Sequence, residues 1–205
     1  MKISKIVKSQ HVPDRFYLEF ENGEKLTATI AQIADYSLFT GRELEEEEME
    51  ALRNDAGRSN AKAKALRIIG ERSMSCHDVY TRLLRHDIDE DTAKDTVAWL
   101  EDMGLINDSE YAAMLTRHYA AKGYGEGRIR DELYKHGIPR DMWGDALSQL
   151  PDMDDGAYTV LIKKLGTWNG DEVKLKKALG MLQRRGFSWD EIRSAVERLK
   201  SEIKD

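Results

Sequence analysis

The sequence predicts a mainly α-helical chain: three tandem three-helix repeats forming an elongated curved body, preceded by a small antiparallel β-hairpin segment and a short helix. Two observations carry that prediction. Residues 76–100, 126–150 and 175–199 superimpose without a gap, at offsets of 50 and then 49 residues, a period typical of tandem helical units. The same columns stay apolar throughout: Val79, Ile129 and Ala178; Leu83, Leu133 and Leu182; Ile88, Ile138 and Phe187; Val97, Leu147 and Val196; Leu100, Leu150 and Leu199. Ahead of the repeats the period changes from helical to alternating, because Phe16, Leu18 and Phe20 share one face and, after Asn22-Gly23, so do Leu26, Ala28 and Ile30.

Taken in order, Ile3 to Lys8 adds a third strand to that hairpin. Residues 42–56 form a short helix ending at Gly57, and its run Glu45 to Glu48 reads as a solvated face, since consecutive helix positions splay around the axis. The β-containing segment thus occupies 1–57, and the repeats 58–106, 107–150 and 151–205. Each repeat opens with an apolar segment, at 61–72, 111–122 and 158–166. The middle helix follows, with Val79 and Leu83 spaced i, i+4, and then the closing helix, with Ala93, Val97 and Leu100 at i, i+4, i+7. The turn column between them, Asp87, Gly137 and Gly186, calls for a positive φ. Two residues on, Asp89, Pro139 and Ser188 open the closing helix, with Ser188 and Glu191 spaced as a capping box. Asn107 and Glu110 repeat that spacing where the second repeat begins, and 151–156 reads as the linker into the third.

With 205 residues, 40% of them hydrophobic, the chain can bury one sizeable or two modest cores. Its single cysteine, Cys76, excludes an internal disulfide framework and suits a reducing compartment. The opening MKISKIVKSQ lacks the apolar run of a signal peptide, and no stretch approaches the ~20 apolar residues of a membrane span, so a cytoplasmic monomer is expected. The net charge of −6 divides into −5 over 1–57, −2 over 58–150 and +1 over 151–205. An acidic chain is poorly suited to tight non-specific duplex binding, which makes a protein the better partner.

At Leu105-Ile106-Asn107-Asp108-Ser109-Glu110-Tyr111-Ala112, followed by Gly123, Arg128-Ile129, Glu132-Leu133 and Lys135-His136-Gly137-Ile138, the sequence resembles the RecX family, regulators of the RecA recombinase. Ala65-Leu66, Glu71-Arg72-Ser73, Leu83 and the β-containing front end extend the likeness over most of the chain. The chain departs from an even repeat where Asp87 stands in the glycine column and Trp168-Asn169-Gly170 replaces the Asn107-Asp108 junction. The resemblance implies a non-enzymatic modulator that lodges in the groove of a RecA filament on single-stranded DNA, the RecA nucleoprotein filament, and limits its growth, ATP hydrolysis and strand exchange. Weak direct contact with single- or double-stranded DNA would accompany it.

Candidate contact residues are cationic. Arg85, Lys135 and Arg184 form one column at the end of the middle helices, where a cation also complements the helix dipole by roughly 0.3–1 kcal/mol and needs no partner. The next column is His86, His136 and Arg185. In the third repeat Lys174, Lys177, Arg184 and Arg185 line a stripe beside the apolar face, with Lys163 and Lys164 near in sequence, more charge than a dipole calls for; Arg128 joins them from the stretch that carries the resemblance. Cys76-His77-Asp78 splays by about 100° per residue and has no second cysteine, so neither metal nor nucleophile is expected there. Trp99, Trp143, Trp168 and Trp189 read as packing residues rather than base-stacking platforms. Gly123-Tyr124-Gly125-Glu126-Gly127 lacks a following Lys-Ser/Thr and reads as a helix-to-helix loop, and Asp154-Asp155 lies in the linker. No catalytic, cofactor or metal site is expected. Two other classes remain open: a helix-turn-helix-like DNA-binding regulator, against which Asp131 and Glu132 would face the duplex, and a helical-repeat interaction scaffold.

Overall fold

The structure is a computed structural model that describes residues 1–10, 12–150, 153–166, 168 and 170–202, and of Met153 and Asp154 the backbone alone. It is mostly helical, with ten α-helices and a three-stranded sheet among the described residues. The chain divides into two compact units, Met1–Arg72 with Val79–Leu105, and Ser73–Asp78 with Ile106–Asp205.

In the first unit, β1 (Ile3–Lys8), β2 (Arg15–Phe20) and β3 (Lys25–Thr29) form an antiparallel sheet in that order, with Leu18 opposite Ile6 on one side and Leu26 on the other. Alternation buries Leu18, Phe20 and Ala28 with Ile3 against Leu38, Leu44, Met49 and Leu52. Phe20 N–H donates to Glu24 O and Gly23 N–H to Phe20 O, so the Asn22-Gly23 turn has three residues, with Gly23 alone at positive φ. Ile30 does not continue the strand face. It opens a short helix, α1 (Ile30–Asp35), and is 56% exposed, because Thr29 and Gln32 form a capping box that turns the backbone there.

Gly57 does not end a helix. α2 runs unbroken from Glu46 to Glu71, merging the short front helix with the first helix of repeat one. A mid-helix glycine costs about 1 kcal/mol relative to alanine. Burial outweighs that here: Met49, Leu52 and Ala56 are sealed on one side of Gly57, and Ala61, Ala65 and Ile68 on the other. Polar bonds fix α2 beside the sheet, with Arg15 donating to Ser59 at 2.9 Å, Arg53 donating two bonds of 2.8 Å to the Glu24 carboxylate, and Tyr36 donating to Asp55 at 2.6 Å. α3 (Cys76–Leu84) and α4 (Glu90–Asp102) supply Val79, Leu83, Ala93, Val97 and Leu100 to the interior. Between them Asp87 sits at φ +59°, and Asp89 caps α4 by accepting from Thr92 N–H.

The second unit holds two cores. α5 (Asp108–Ala121), α6 (Glu126–Lys135) and α7 (Trp143–Leu147) enclose Ala112, Leu115, Ile129, Leu133, Ile138 and Ala146. The closing helix of this repeat is short. After Pro139 it starts as a 3-10 turn, Arg140–Met142, and has five α-helical residues. α8 (Met153–Leu165), α9 (Glu172–Arg184) and α10 (Trp189–Glu202) enclose Ala157, Leu161, Leu175, Ala178, Leu182, Phe187, Ile192, Ala195 and Leu199. α8 begins at Met153, inside the 151–156 stretch read as a linker, so Asp155 is helical. Pro151, Asp152 and Asn169 lie outside the described residues. Ser188 and Glu191 make both bonds of the expected capping box.

Candidate partner-contact groove

The turn column proves to be a docking device as well as a chain reversal. Gly186, at φ +86°, presses on the start of α6: Gly127 N–H donates to its carbonyl at 3.0 Å, Gly125 N–H donates to Arg185 O at 2.8 Å, and a Cβ at Gly186 would lie 2.9 Å from Arg128 Cα. Gly137 repeats the contact against Ser73–Asp78, the segment of the second unit that starts α3. There a Cβ would stand 2.5 Å from His77 Cβ, and the Ser75 hydroxyl donates to His136 O at 2.6 Å while accepting from Asp78 N–H. Asp87, the exception in the column, is exposed.

Several residues singled out in the sequence belong to these joints. His136 Nδ1 lies 2.6 Å from Asp78 Oδ2, half-buried, and Cys76 N–H donates to Asp108 at 2.8 Å, so Cys76-His77-Asp78 is the seat of a joint. Arg185 is not a free surface cation. Its guanidinium donates to the carbonyls of Lys122 and Gly123, both at 3.1 Å, and lies over the Tyr124 ring. Arg128 is bound to Glu132 at 2.5 Å and abuts Gly186 through its backbone. Glu132 itself is 2% exposed, so it faces inward, not toward any duplex; burial first, and then its hydrogen bond to Glu132, pushes the Tyr119 hydroxyl above its ordinary range.

Two of the remaining candidate cations, Lys163 and Lys164, line one groove. A cleft of 550 Å3 runs between the end of α5, α8 and α9, with Ala120, Ala121, Val160 and Met181 as its aliphatic lining and Lys122, Lys163, Lys164 and Arg185 as its basic groups. Its one acidic group among the described residues, Asp155, is paired with Arg198 at 2.7 Å. At about 100° per residue, Lys174, Lys177, Met181 and Arg185 fall on one flank of α9, beside the buried stripe Leu175, Ala178 and Leu182; of the predicted stripe Arg185 alone lines the groove, and Lys174 and Lys177 continue the flank toward the start of the helix. Lys174 and Lys177 are exposed, and Lys174 reaches only Asp171, at 3.8 Å. That Asp171 caps α9, and the N–H of Lys174 holds its carboxyl below the usual range. Arg184 is exposed farther round the helix. Arg85, in the first unit, and Lys135, which reaches Glu132 at 3.7 Å, are exposed and not part of the groove.

Sequence reasoning missed Lys122, Val160 and Met181. The signal for Lys122 was its place at the C-cap of α5, one residue before a positive-φ glycine. It also misjudged one tryptophan: Trp99, Trp143 and Trp168 are half-buried, but Trp189 is 59% exposed beside Leu179 and Val196. Among the described residues no three His, Cys, Asp or Glu side chains are placed to hold a metal ion, and no helix is long and apolar enough to cross a membrane.

Repeated three-helix modules joined through glycine turns, with a basic groove between α5, α8 and α9, define a tandem helical-repeat protein whose features suit contact with a partner. Family models for the second and third three-helix domains of RecX match residues 107–147 and 152–196. The chain is 31% identical over 135 residues to a regulatory protein RecX of Xanthomonas axonopodis pv. citri, spanning 65% of this chain and 83% of that one. To the RecX of Streptococcus gordonii it is 27% identical over 205 residues, 98% of this chain and 78% of that one. Its fold is similar to a crystal structure of regulatory protein RecX, with a TM-score of 0.73 at 23% identity over 96% of this chain and 98% of that chain. It is also similar to RecX from Lactobacillus salivarius, with a TM-score of 0.64 at 26% identity over 70% and 97%. The chain belongs to the RecX family, a family of regulatory proteins.

Proposed function

We propose that this chain is a non-enzymatic regulator of the RecA recombinase that binds the RecA nucleoprotein filament on single-stranded DNA, as a cytoplasmic monomer, and limits filament growth, ATP hydrolysis and strand exchange. Membership of the RecX family supports the class of function. The observation that carries the contact surface is the basic groove between α5, α8 and α9, where Lys122, Lys163 and Lys164 line an aliphatic floor, with Lys174 and Lys177 exposed farther along α9. Lys135 and Arg85 are secondary contact candidates, since each sits where a helix-end cation is expected anyway. Arg128 and Arg185 act through the joint they hold.

The test is DNA-dependent ATP hydrolysis by the recombinase, titrated with the parent protein and with a variant carrying Lys163→Glu, Lys164→Glu, Lys174→Glu, Lys177→Glu and Arg184→Glu. Arg185 is left intact, because reversing it would open a joint. Exposed pairs contribute about 0.2–1 kcal/mol each, so five reversals raise the half-inhibitory concentration by roughly tenfold or more. Glu47→Lys, on the exposed side of α2, is the control; Glu45 and Glu48 are unsuitable because they form the cap of that helix. Equal inhibition by parent and fivefold variant at low salt would remove the groove from the mechanism. Sedimentation with filaments, bare single strands and bare duplex separates this reading from a DNA reader, which would bind duplex without recombinase.

A further inference from the structure

We infer that the groove between α5, α8 and α9 receives an acidic amphipathic helix from a protein partner, not the phosphate backbone of a nucleic acid. The inference rests on the proposed function's reading of this groove as the contact surface, and five features of the groove choose between occupants. Its lining is aliphatic, with Ala120, Ala121, Val160 and Met181, and among the described residues holds no aromatic ring on which a base could stack. α5 points its C-terminal end into it, and the Lys122 and Gly123 carbonyls there already need a guanidinium; phosphates prefer the opposite, N-terminal, end of a helix. Three of its four basic residues are lysines, which lay apolar stems along a floor and hold ammonium groups at the rim, a pattern complementary to leucines flanked by glutamates. A cleft of 550 Å3 takes several side chains, not a lone anion. Asp155, the one carboxylate in the lining among the described residues, is paired with Arg198, just as the α5 carbonyls are paired with Arg185.

The probe is a labelled synthetic helix with leucines at i, i+4 and i+7 and glutamates on both flanks, followed by fluorescence anisotropy against the full chain. Saturable binding is expected, weakened at least about tenfold when the leucines become serines at unchanged charge. It is weakened as much by Lys163→Gln with Lys164→Gln, and again by Met181→Glu, each variant checked for unchanged helicity and melting. An oligothymidylate of matched charge should not displace the peptide at equal concentration. Equal binding of the serine peptide would mean a diffuse basic surface, and displacement by the oligonucleotide a phosphate surface. Either outcome overturns the inference, as does absence of peptide binding. Recombinase ATP hydrolysis, measured with the same proteins, separates the two levels. A parent that fails to inhibit sinks the proposed function whatever the peptide does, and an inhibiting parent that ignores the peptide sinks only the inference.

Discussion

Replacing Gly186 by alanine separates two demands that fall on one residue. At φ +86° any Cβ carries a left-handed strain of about 1–2 kcal/mol. The close approach to Arg128 adds an overpacking term of about 1–3 kcal/mol, because the atoms in the way are backbone and cannot rotate aside. Gly186→Ala should therefore destabilise by roughly 2–5 kcal/mol, a fall in melting midpoint on the order of 5–15 °C for a chain of this length. Gly104 supplies the internal control, with φ +66° and nothing within 4 Å of its would-be Cβ, so Gly104→Ala should cost only the strain, about 1–2 kcal/mol. Gly137→Ala should cost about as much as Gly186→Ala, since the His77 Cβ, 2.5 Å from the added methyl, is fixed to its own backbone and cannot rotate aside. Asp87→Gly runs the other way, gaining about 0.5–1 kcal/mol by relieving φ +59° at an exposed turn. Urea unfolding followed by far-ultraviolet circular dichroism gives the four values, with m expected to stay constant for Asp87→Gly. If Gly186→Ala costs no more than Gly104→Ala, the joint is not tight and the docking role of the turn column is wrong.

Three further outcomes follow from the same packing. Thr116 is fully buried and its hydroxyl lacks a hydrogen-bond partner, so Thr116→Val should stabilise by about 1 kcal/mol, read as a raised urea midpoint; a lowered one would reveal a bond the hydroxyl makes. Asp89→Ala removes the cap of α4 and should cost about 1 kcal/mol at neutral pH. The Thr92 backbone N–H lowers the Asp89 carboxyl from its ordinary 3.8, so its contribution is whole above that value and disappears as pH falls through the lowered folded one. Parent and variant should therefore converge in acid, and a gap that persists there would refute the cap. Ending the chain after Leu150 removes a repeat whose core is its own and should leave one cooperative helical melt at a lower midpoint; a broad transition would show that the two cores of the second unit fold only together.

The helical columns were legible because burial repeats with the chain: Val79, Ile129 and Ala178 are all sealed, as are Leu83, Leu133 and Leu182. Local rules failed wherever a distant contact decided the outcome. Gly57 reads as a stop only until the burial on both sides of it is known. Arg185, at a helix end, satisfies the dipole rule so well that nothing in its neighbourhood announces carbonyl partners 62 and 63 residues earlier. Glu132 reads as surface because glutamates usually are, and its inward pairing with Arg128 appears only when the fold places Tyr119 beside it.

The two joints show most directly why part of the site could not be read from columns. They do the same work with different chemistry. One carbonyl, at His136, is satisfied by the Ser75 hydroxyl, and its counterpart at Arg185 by the backbone N–H of Gly125. At the next position but one, His77 gives way to Gly127, and the glycine opposite it approaches a side chain in one joint and main chain in the other. Asp78, which pairs with His136, is replaced by Arg128, which would repel Arg185; each of those arginines accordingly turns to another acceptor, Glu132 for one and the α5 carbonyls for the other. What recurs is the position of the backbone and the requirement that its polar groups be satisfied, and neither leaves a residue type behind in the alignment of the repeats. The turn residue alone records it. Gly137 and Gly186 dock and stay glycine, whereas Asp87 stands at an exposed turn, where the left-handed φ is the only demand and an aspartate can meet it.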